Sequence, residues 1–487
     1  MSFVRIKNNQ NISVFDIPLT EFSKLREDVI KENKRPLLFF GKKENDGVRL
    51  FVALSDDENG EILLSSAFFG NDVKSYESIT KDLPAFHVFE REFFEEFGIE
   101  PVGHPWLKPL RKHDKEYEFF EMKGEEIHQV AVGPIHAGII EPGHFRFMCA
   151  GEKVYNLEIQ LGYQNRDIEK LFLNRKKYNP GLAESVCGDS VIAHNLAYTQ
   201  VIECLSGVTV PEKAQIIRAI ASEMERIAVH IGDMGAIAGD IAYLVGASVF
   251  GATRTLVINT MMDICGSRFG RGLITLGGVN FDISRAQIEK YLRTLDKVEK
   301  DVKRMTKTML NSSSVISRLE KTGYLSRKNA QSLNIVGIAG KASGYDKDSR
   351  KIFKTALYND MPEVFFNPKG DVYSRFCIRY KEVLQSTALI EKFFDLLSEY
   401  EPGGIKVLSH EKRLIPLQLC ISVTEGWRGE VVHCAITDET GFVERIKIKD
   451  SSFNNWYGLA LAVRNNEISD FPLCNKSFNL SYCGNDL

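Results

Sequence analysis

A thiol, a carboxylate, a hydroxyl and an imidazole fall within the eleven residues Glu184-Ser-Val-Cys-Gly-Asp-Ser-Val-Ile-Ala-His194. Cys187 can act as a soft metal ligand, Asp189 and His194 can carry protons, and Ser190 can donate or accept a hydrogen bond. The apolar run from Val191 through Tyr198 to Leu205 reads as a helix, which leaves Cys187 to Ser190 in the loop or first turn before it. Backbone N–H groups are free there and polar side chains can converge. A second polar cluster, Ser477-Phe-Asn-Leu-Ser-Tyr-Cys-Gly484, supplies Ser481 and Cys483. The two clusters are expected to meet in space.

A third group lies upstream, with His136 in Gly133-Pro-Ile-His-Ala-Gly138 and three more ionisable residues in Glu141-Pro-Gly-His144-Phe-Arg146. Glu and His are the usual acid–base groups, so one reading is a proton-handling site centred on Glu141 and His144. The other is a polar turn at a strand entry, in which Pro142-Gly143 folds Glu141 back onto Arg146 as a local ion pair.

These groups need elements to hold them. The chain has 487 residues, 44% of them hydrophobic and 26% charged, which suits a soluble globular protein of two or three domains. A net charge of -3 gives no reason to expect a nucleic-acid partner. The nine cysteines form no Cys-x-x-Cys pair, which argues against a zinc or iron–sulfur site held by this chain alone. No signal peptide and no apolar stretch of spanning length is read, so membrane attachment is expected to go through a partner. Pro36-Leu-Leu-Phe-Phe, Val48 to Leu54 and Ile62 to Phe69 read as strands, and Ala85 to Phe97 as an acidic helix stopped by Gly98. A charged linker, Arg111 to Glu126, places a domain boundary near residue 122. Beyond it, residues 211 to 240 read as a long helix with two stripes. Ile220, Met224, Ile227 and Ile231 face a core, while Glu223, Arg226, His230 and Asp233 make a polar row. Gly340-Lys341-Ala342 lacks both the upstream glycine and the hydroxyl residue of a phosphate loop, so nucleotide binding is not expected there. Residues 427 to 433 and 444 to 449 read as strands of a terminal β unit.

The run Glu90-Arg91-Glu92, Phe97-Gly98, Gly103-His104-Pro105 resembles the 30-kDa-type subunit of respiratory complex I, a docking module without a cofactor. From Val132 onward the order of motifs resembles the large subunit of [NiFe] hydrogenases and its relative, the 49-kDa-type subunit of complex I. The carriers are Gly133-Pro-x-His-Ala-Gly-Ile-Ile-Glu-Pro-Gly-His-Phe-Arg-Phe147, Gly162-Tyr163, Glu225-Arg226 with His230-Ile-Gly-Asp233, Arg268-Phe269, Gly277-Gly-Val279, Arg428-Gly-Glu430 and Asp470-Phe-Pro472. The pattern is nearest to group 4 energy-converting hydrogenases of the formate hydrogenlyase type, which carry the 30-kDa-like module fused in front. The fold so implied is α+β. Residues 1–122 would form a small α+β docking module, and residues 123–487 a mainly helical hydrogenase-large-subunit-like domain with peripheral β elements.

In the resembling family four cysteines in two Cys-x-x-Cys pairs hold nickel and iron. Here Ser190, Ser481 and Gly484 stand at three of those positions, and Cys483, one residue out of register, is expected to turn elsewhere. A serine oxygen is too hard and too weakly acidic to replace a thiolate on nickel, so no metal is expected on this chain. No C-terminal extension of the kind removed after nickel insertion is read. The resemblance then implies an oxidoreductase subunit, with Glu141, His144, Arg146, Cys187, Asp189 and His194 as catalytic candidates. His136, Ser190, Ser481 and Cys483 would line the former cofactor site. Electrons would come from an iron–sulfur cluster in a small, complex I 20-kDa-like partner, and integral membrane antiporter-like subunits would hold the complex on the cytoplasmic face of the membrane, translocating ions. A quinone-reducing, NADH dehydrogenase-type subunit is an alternative, although the quinone-facing tyrosine of complex I falls at Gly188 and its histidines match only His136 and His144. A non-catalytic coupling subunit is another.

Overall fold

The apolar runs of the first hundred residues form strands because each alternates between two covered faces. The computed structural model describes residues 2–113, 116–136, 138, 140–175, 178–363, 368–407 and 413–487. Short strands β1 (Val4–Lys7), β2 (Asn11–Ser13) and β3 (Leu19–Thr20) lead into helix α1 (Phe22–Glu32). The three runs read from the sequence are long strands, β4 (Arg35–Glu44), β5 (Gly47–Asp56) and β6 (Glu61–Gly70). They pair in the order β1-β6-β5-β4, with β3 parallel to β6. One face of this sheet buries Phe39, Leu50 and Val52 beneath α2 (His87–Phe97). Helix α2 ends where Gly98 takes φ 71°, a left-handed conformation open to glycine. Strands β7 (Ser75–Glu77) and β8 (Glu100–Val102) make a small parallel ribbon beside it.

Downstream, β9 (Ile127–Val132), β10 (His144–Ala150) and β11 (Lys153–Gln160) form an antiparallel meander. Helices α3 (Ile168–Arg175) and α4 (Pro180–Ala183) precede α5 (Val191–Ser206). The striped sequence is α6 (Glu212–Asp240), followed by α7 (Leu244–Cys265). The ribbon of β12 (Ile274–Thr275) and β13 (Gly278–Val279) leads to α8 (Arg285–Leu310), which opens on a Ser284–Gln287 capping box. Four short helices, α9 (Ser313–Leu319), α10 (Arg327–Ser332), α11 (Gly337–Ala342) and α12 (Ser349–Ile352), precede α13 (Val372–Ser398). Helices α6, α7, α8 and α13 share one large apolar core. Strands β14 (Gln418–Gly426), β15 (Gly429–Thr437) and β16 (Val443–Lys449) are followed by α14 (Ser451–Val463), α15 (Phe471–Phe478) and α16 (Tyr482–Asp486).

The two halves are welded together. The second face of the first sheet, with Phe40, Phe51 and Ala53, packs on Ile421, Val423 and Val432 of β14 and β15. Strand β2 leaves the first sheet and pairs antiparallel with β14, giving the order β16-β15-β14-β2. Arg35 reaches from β4 to Glu430 at 2.6 Å, and Lys449 binds the other oxygen of Glu430 at 2.7 Å. In the charged linker, Arg111 pairs with Glu92 and donates to the carbonyl of Asn485 at 2.6 Å, so the start of that segment is tied to both halves.

The turn between β14 and β15 is set by two glycines. Gly337 has φ 61°, and a Cβ there would lie 1.8 Å from the carbonyl oxygen of Arg428. Gly429 has φ 132°, and its Cβ would lie 2.7 Å from the nitrogen of Gly337. The two backbones touch, and this contact fixes where Arg428 points. Gly337→Ala combines left-handed strain with overpacking and should cost about 2–4 kcal/mol of stability. The shift of the denaturant midpoint measures this, and a midpoint equal to wild type would refute the backbone contact.

Candidate active site

Local capping builds the first wall of the site. The Asn179 side chain accepts from the Leu182 N–H and starts α4, and the chain then crosses Cys187 to Ser190 before entering α5. The first N–H groups of α5 are taken by Glu225 of α6, which accepts from Ile192 at 2.7 Å and Ala193 at 3.4 Å. The second wall is the tail. Helix α15 ends at Asn479 in a left-handed conformation, and the Ser481 hydroxyl caps α16 by accepting from the Gly484 N–H at 2.9 Å. A Cβ on Gly484 would lie 2.7 Å from the carboxyl carbon of Asp450, so only a bare backbone fits.

The two polar clusters do meet. Cys187 Sγ is 3.1 Å from Ser481 Oγ and 3.0 Å from Asp189 Oδ1. Arg428 forks onto Asp189 at 2.6 and 2.7 Å, reaches Cys187 Sγ and Ser190 Oγ at 3.3 Å each, and donates to the carbonyl of Asn479. Its guanidinium lies 4.0 Å over the Trp427 ring, and the Trp427 indole donates to the Asp189 carbonyl at 2.7 Å. In front of these groups opens a cavity of about 540 Å³, lined by Ile140, Glu141, Cys187, Gly188, Asp189, Phe269, Arg428, Asn475, Lys476, Asn479, Leu480, Ser481, Tyr482 and Cys483.

Cys483 does not turn elsewhere, which corrects the expectation from its register. The tail is helical at this point, so a one-residue offset rotates a side chain by roughly 100° instead of reversing it. Cys483 and Tyr482 therefore both line the cavity. The Cys187 and Cys483 thiols both hydrogen-bond to the Ser481 hydroxyl, at 3.1 and 3.4 Å. A hydrogen bond from Cys187 holds the Cys483 thiol below its usual range against the effect of burial. The same bond, then burial and the Asp189 carboxylate, push Cys187 well above its own range. Cys483 is thus the more acidic thiol of the pair.

The other predicted residues divide. Glu141 lines the cavity, and its carboxylate accepts the Cys483 N–H at 3.1 Å. It does not bond to Arg146, so the local ion pair, the alternative of the two readings, is absent. Arg146 projects from β10 toward Gln129 at 3.0 Å and lies 4.5 Å over the Phe119 ring. His144 accompanies Arg146, with Nδ1 at 3.3 Å from the Gly133 carbonyl, so neither residue reaches the cavity. The strand explains both, since positions 144 and 146 share the face opposite the buried Phe145 and Phe147. His136 stands behind Tyr482, 3.4 Å from its hydroxyl. Ser190 is buried against Arg428 and His194 lies deeper still, its ring nitrogens 3.0 Å from Asp450 and 3.0 Å from His433. Burial would raise Asp450, but the hydrogen bond from His194 holds it at about 2. Sequence reasoning missed Arg428, Tyr482 and Asn479 as site residues. For Arg428 the signal was present, in the Trp427-Arg-Gly-Glu turn.

Nickel needs soft donors. Cys187 and Cys483 supply two thiols, whereas the Ser190 hydroxyl is engaged by Arg428 and Gly484 offers no side chain. This donor set does not fit a four-thiolate nickel–iron centre. Among the described residues no group of three or more His, Cys, Asp or Glu is arranged to hold a metal ion.

The sequence of the membrane-bound hydrogenase subunit alpha of Pyrococcus furiosus is 30% identical over 359 residues, covering 70% of this chain and 83% of that protein. The chain belongs to the complex I 49-kDa and group 4 hydrogenase large-subunit family. The profile "Respiratory-chain NADH dehydrogenase, 49 Kd subunit" matches residues 240–418 of this family member, and that of the 30 Kd subunit matches residues 28–120, the fused arrangement. Formate hydrogenlyase subunit 5 of Escherichia coli K12 is 29% identical over 441 residues, 84% of this chain and 77% of that protein. The fold is shared with a chain of an archaeal respiratory membrane complex, the membrane-bound sulfane sulfur reductase, at TM-score 0.69 and 21% identity over 74% of this chain and 99% of that one. Members of the family serve membrane-bound complexes, yet among the described residues no helix of this one is long and apolar enough to cross a membrane.

At neutral pH a limiting dose of iodoacetamide should label Cys483 ahead of Cys187, read by peptide mass spectrometry. Cys187→Ala removes the S–H donor and should slow that labelling. Preferential labelling of Cys187 would reverse the assignment.

Proposed function

We propose that this chain is the substrate-reducing subunit of a peripheral, membrane-attached complex, and that its reaction is the reduction of a sulfur–sulfur bond in the cavity. The observation that carries the reading is the pair of thiols, Cys187 and Cys483, joined through the Ser481 hydroxyl on the wall of a cavity that also holds Glu141, Asp189 and Arg428. Two neighbouring thiols of unequal acidity suit thiol–disulfide exchange, in which the more acidic one attacks as its thiolate and the other resolves the mixed disulfide.

The steps balance as follows. The Cys483 thiolate attacks one sulfur of the substrate and forms a mixed disulfide, and the released sulfide or thiolate takes a proton from the Glu141 side. Cys187 then attacks the Cys483 sulfur, losing its proton to the second leaving group, so that a Cys187–Cys483 disulfide forms. Two electrons from an iron–sulfur cluster of a small partner subunit, with two protons, restore the dithiol. Arg428 balances charge on Cys187 and Asp189 as the thiol ionises. Coupling of this proton uptake to ion translocation by membrane partners on the cytoplasmic side completes the proposal. The sulfane sulfur reductase named among the fold relatives supports the substrate class.

A quinone is a second reading, favoured by one contact. The Tyr482 hydroxyl on the cavity wall lies 3.4 Å from His136 Nε2, and such a pair can donate to a carbonyl oxygen.

Two measurements on the complex purified with its partners separate these readings. Glu141→Gln keeps shape and hydrogen bonding but cannot deliver a proton, so assembly should survive while polysulfide turnover falls roughly 10²-fold or more. Unchanged turnover with reduced assembly would make Glu141, and this chain, structural. Tyr482→Phe should leave polysulfide turnover near wild type. If it instead removes quinone reduction that the wild type supports, the second reading holds and the first fails.

A further inference from the structure

Behind the Gly426–Gly429 turn lies a closed cluster of charges that the cavity chemistry leaves unused. Arg226, Lys341 and Arg350 face Glu223, Asp348, Glu382 and Glu425, so among the described residues of this cluster three cations meet four carboxylates. Three of the acids are fully engaged. Glu223 receives Arg350, Arg226, Ser386 and Tyr358, and Asp348 receives Arg350 and Lys341. Glu382 receives Lys341 at 2.6 Å and His230 at 2.8 Å.

Glu425 is the acid left over. One oxygen accepts the Ser349 N–H at 2.9 Å. The other has no hydrogen-bond partner, and Lys341 Nζ stands 3.7 Å from it while bonding to Asp348 and Glu382. The residue is 8% exposed. An uncompensated charge is costly at such a site, so a proton is the ligand that closes the count. From β15 the facing acid is Glu430, already matched by Arg35 and Lys449.

The polar row of α6 leads from this cluster toward the cavity. Glu382 bonds His230, whose Nδ1 has no partner. One turn further along α6, Asp233 accepts from Arg379 at 2.8 Å and from Asn479 at 2.7 Å, and Asn479 lines the cavity. We propose that Glu425 is a proton-loading site and that Lys341, Glu382, His230 and Asp233 connect it to the cavity. The site takes a proton only, and it stands whatever substrate the cavity accepts. Burial and then Asp348 push Glu425 up to about 7, with Lys341, Arg226 and Arg350 restraining the rise. Burial keeps His230 at about 4, hence neutral and able to relay.

The sign of the pH effect follows. The folded state holds this proton above the ordinary carboxylate range, so stability falls as pH rises through that range toward about 7. Infrared difference spectra of the intact complex should contain a protonated-carboxyl band that titrates away near neutrality, is absent in Glu425→Gln, and persists to higher pH in Lys341→Met. The Glu425→Gln complex should also lose less thermal stability than wild type across that pH interval. A band unaffected by Glu425→Gln, or identical pH dependence of the melting temperature in both proteins, overturns the proposal and leaves the cavity reading untouched. If Glu425→Gln does not assemble, the Lys341→Met titration decides alone, and an unshifted midpoint overturns it.

Discussion

The pairing of Arg428 with Asp189 holds the site in one piece. Asp189 belongs to the loop before α5 and Arg428 to the turn between β14 and β15, while the Asn479 carbonyl that Arg428 also binds belongs to the tail. Three segments far apart in sequence converge on one planar cation whose donors point in fixed directions. A lysine would supply the charge but not the fork. The Trp427 ring beneath the guanidinium fixes its plane, and the glycine contact behind the turn fixes its origin. This cation also lines the cavity. The thiols are placed by the same loop and tail that it ties.

Much of this architecture could be read from pattern. The long strands, α2, α5 and α6 follow from apolar periodicity and glycine stops. The meeting of residues 187–190 with 477–484 followed from a motif order shared with a family. Other features had no local signal. Whether the polar row of α6 faces water or a buried cluster depends on α13 and on the segment from Lys341 to Arg350, which lie more than a hundred residues away. The outward path of His144 and Arg146 was legible in principle, because both sit on the face opposite two buried phenylalanines. The direction of Cys483 was not, since it depends on the tail being helical rather than extended.

The distribution of charge separates two kinds of surroundings. At the cavity Asp189 and Arg428 hold each other yet meet open volume, so their surroundings can change with what enters. Behind the turn the ions meet one another and a few neutral donors, and most are held by several bonds at once. Such a network gains little net stability over an apolar core of the same volume. Its presence in the interior is therefore better accounted for by what it can carry than by what it can hold.

The pairing of β2 with β14 has a consequence for biosynthesis. Residues 11–13 are made more than four hundred residues before residues 418–420, their partners. The sheet that carries Glu425 and Glu430 cannot be completed until then. Contacts of such sequence separation are entropically expensive to close and form late. Until closure the edge of β14 presents unpaired backbone groups, a template for strand exchange between neighbouring nascent chains. Tethering both strands in one polypeptide raises their local concentration and favours closure of this sheet within one chain.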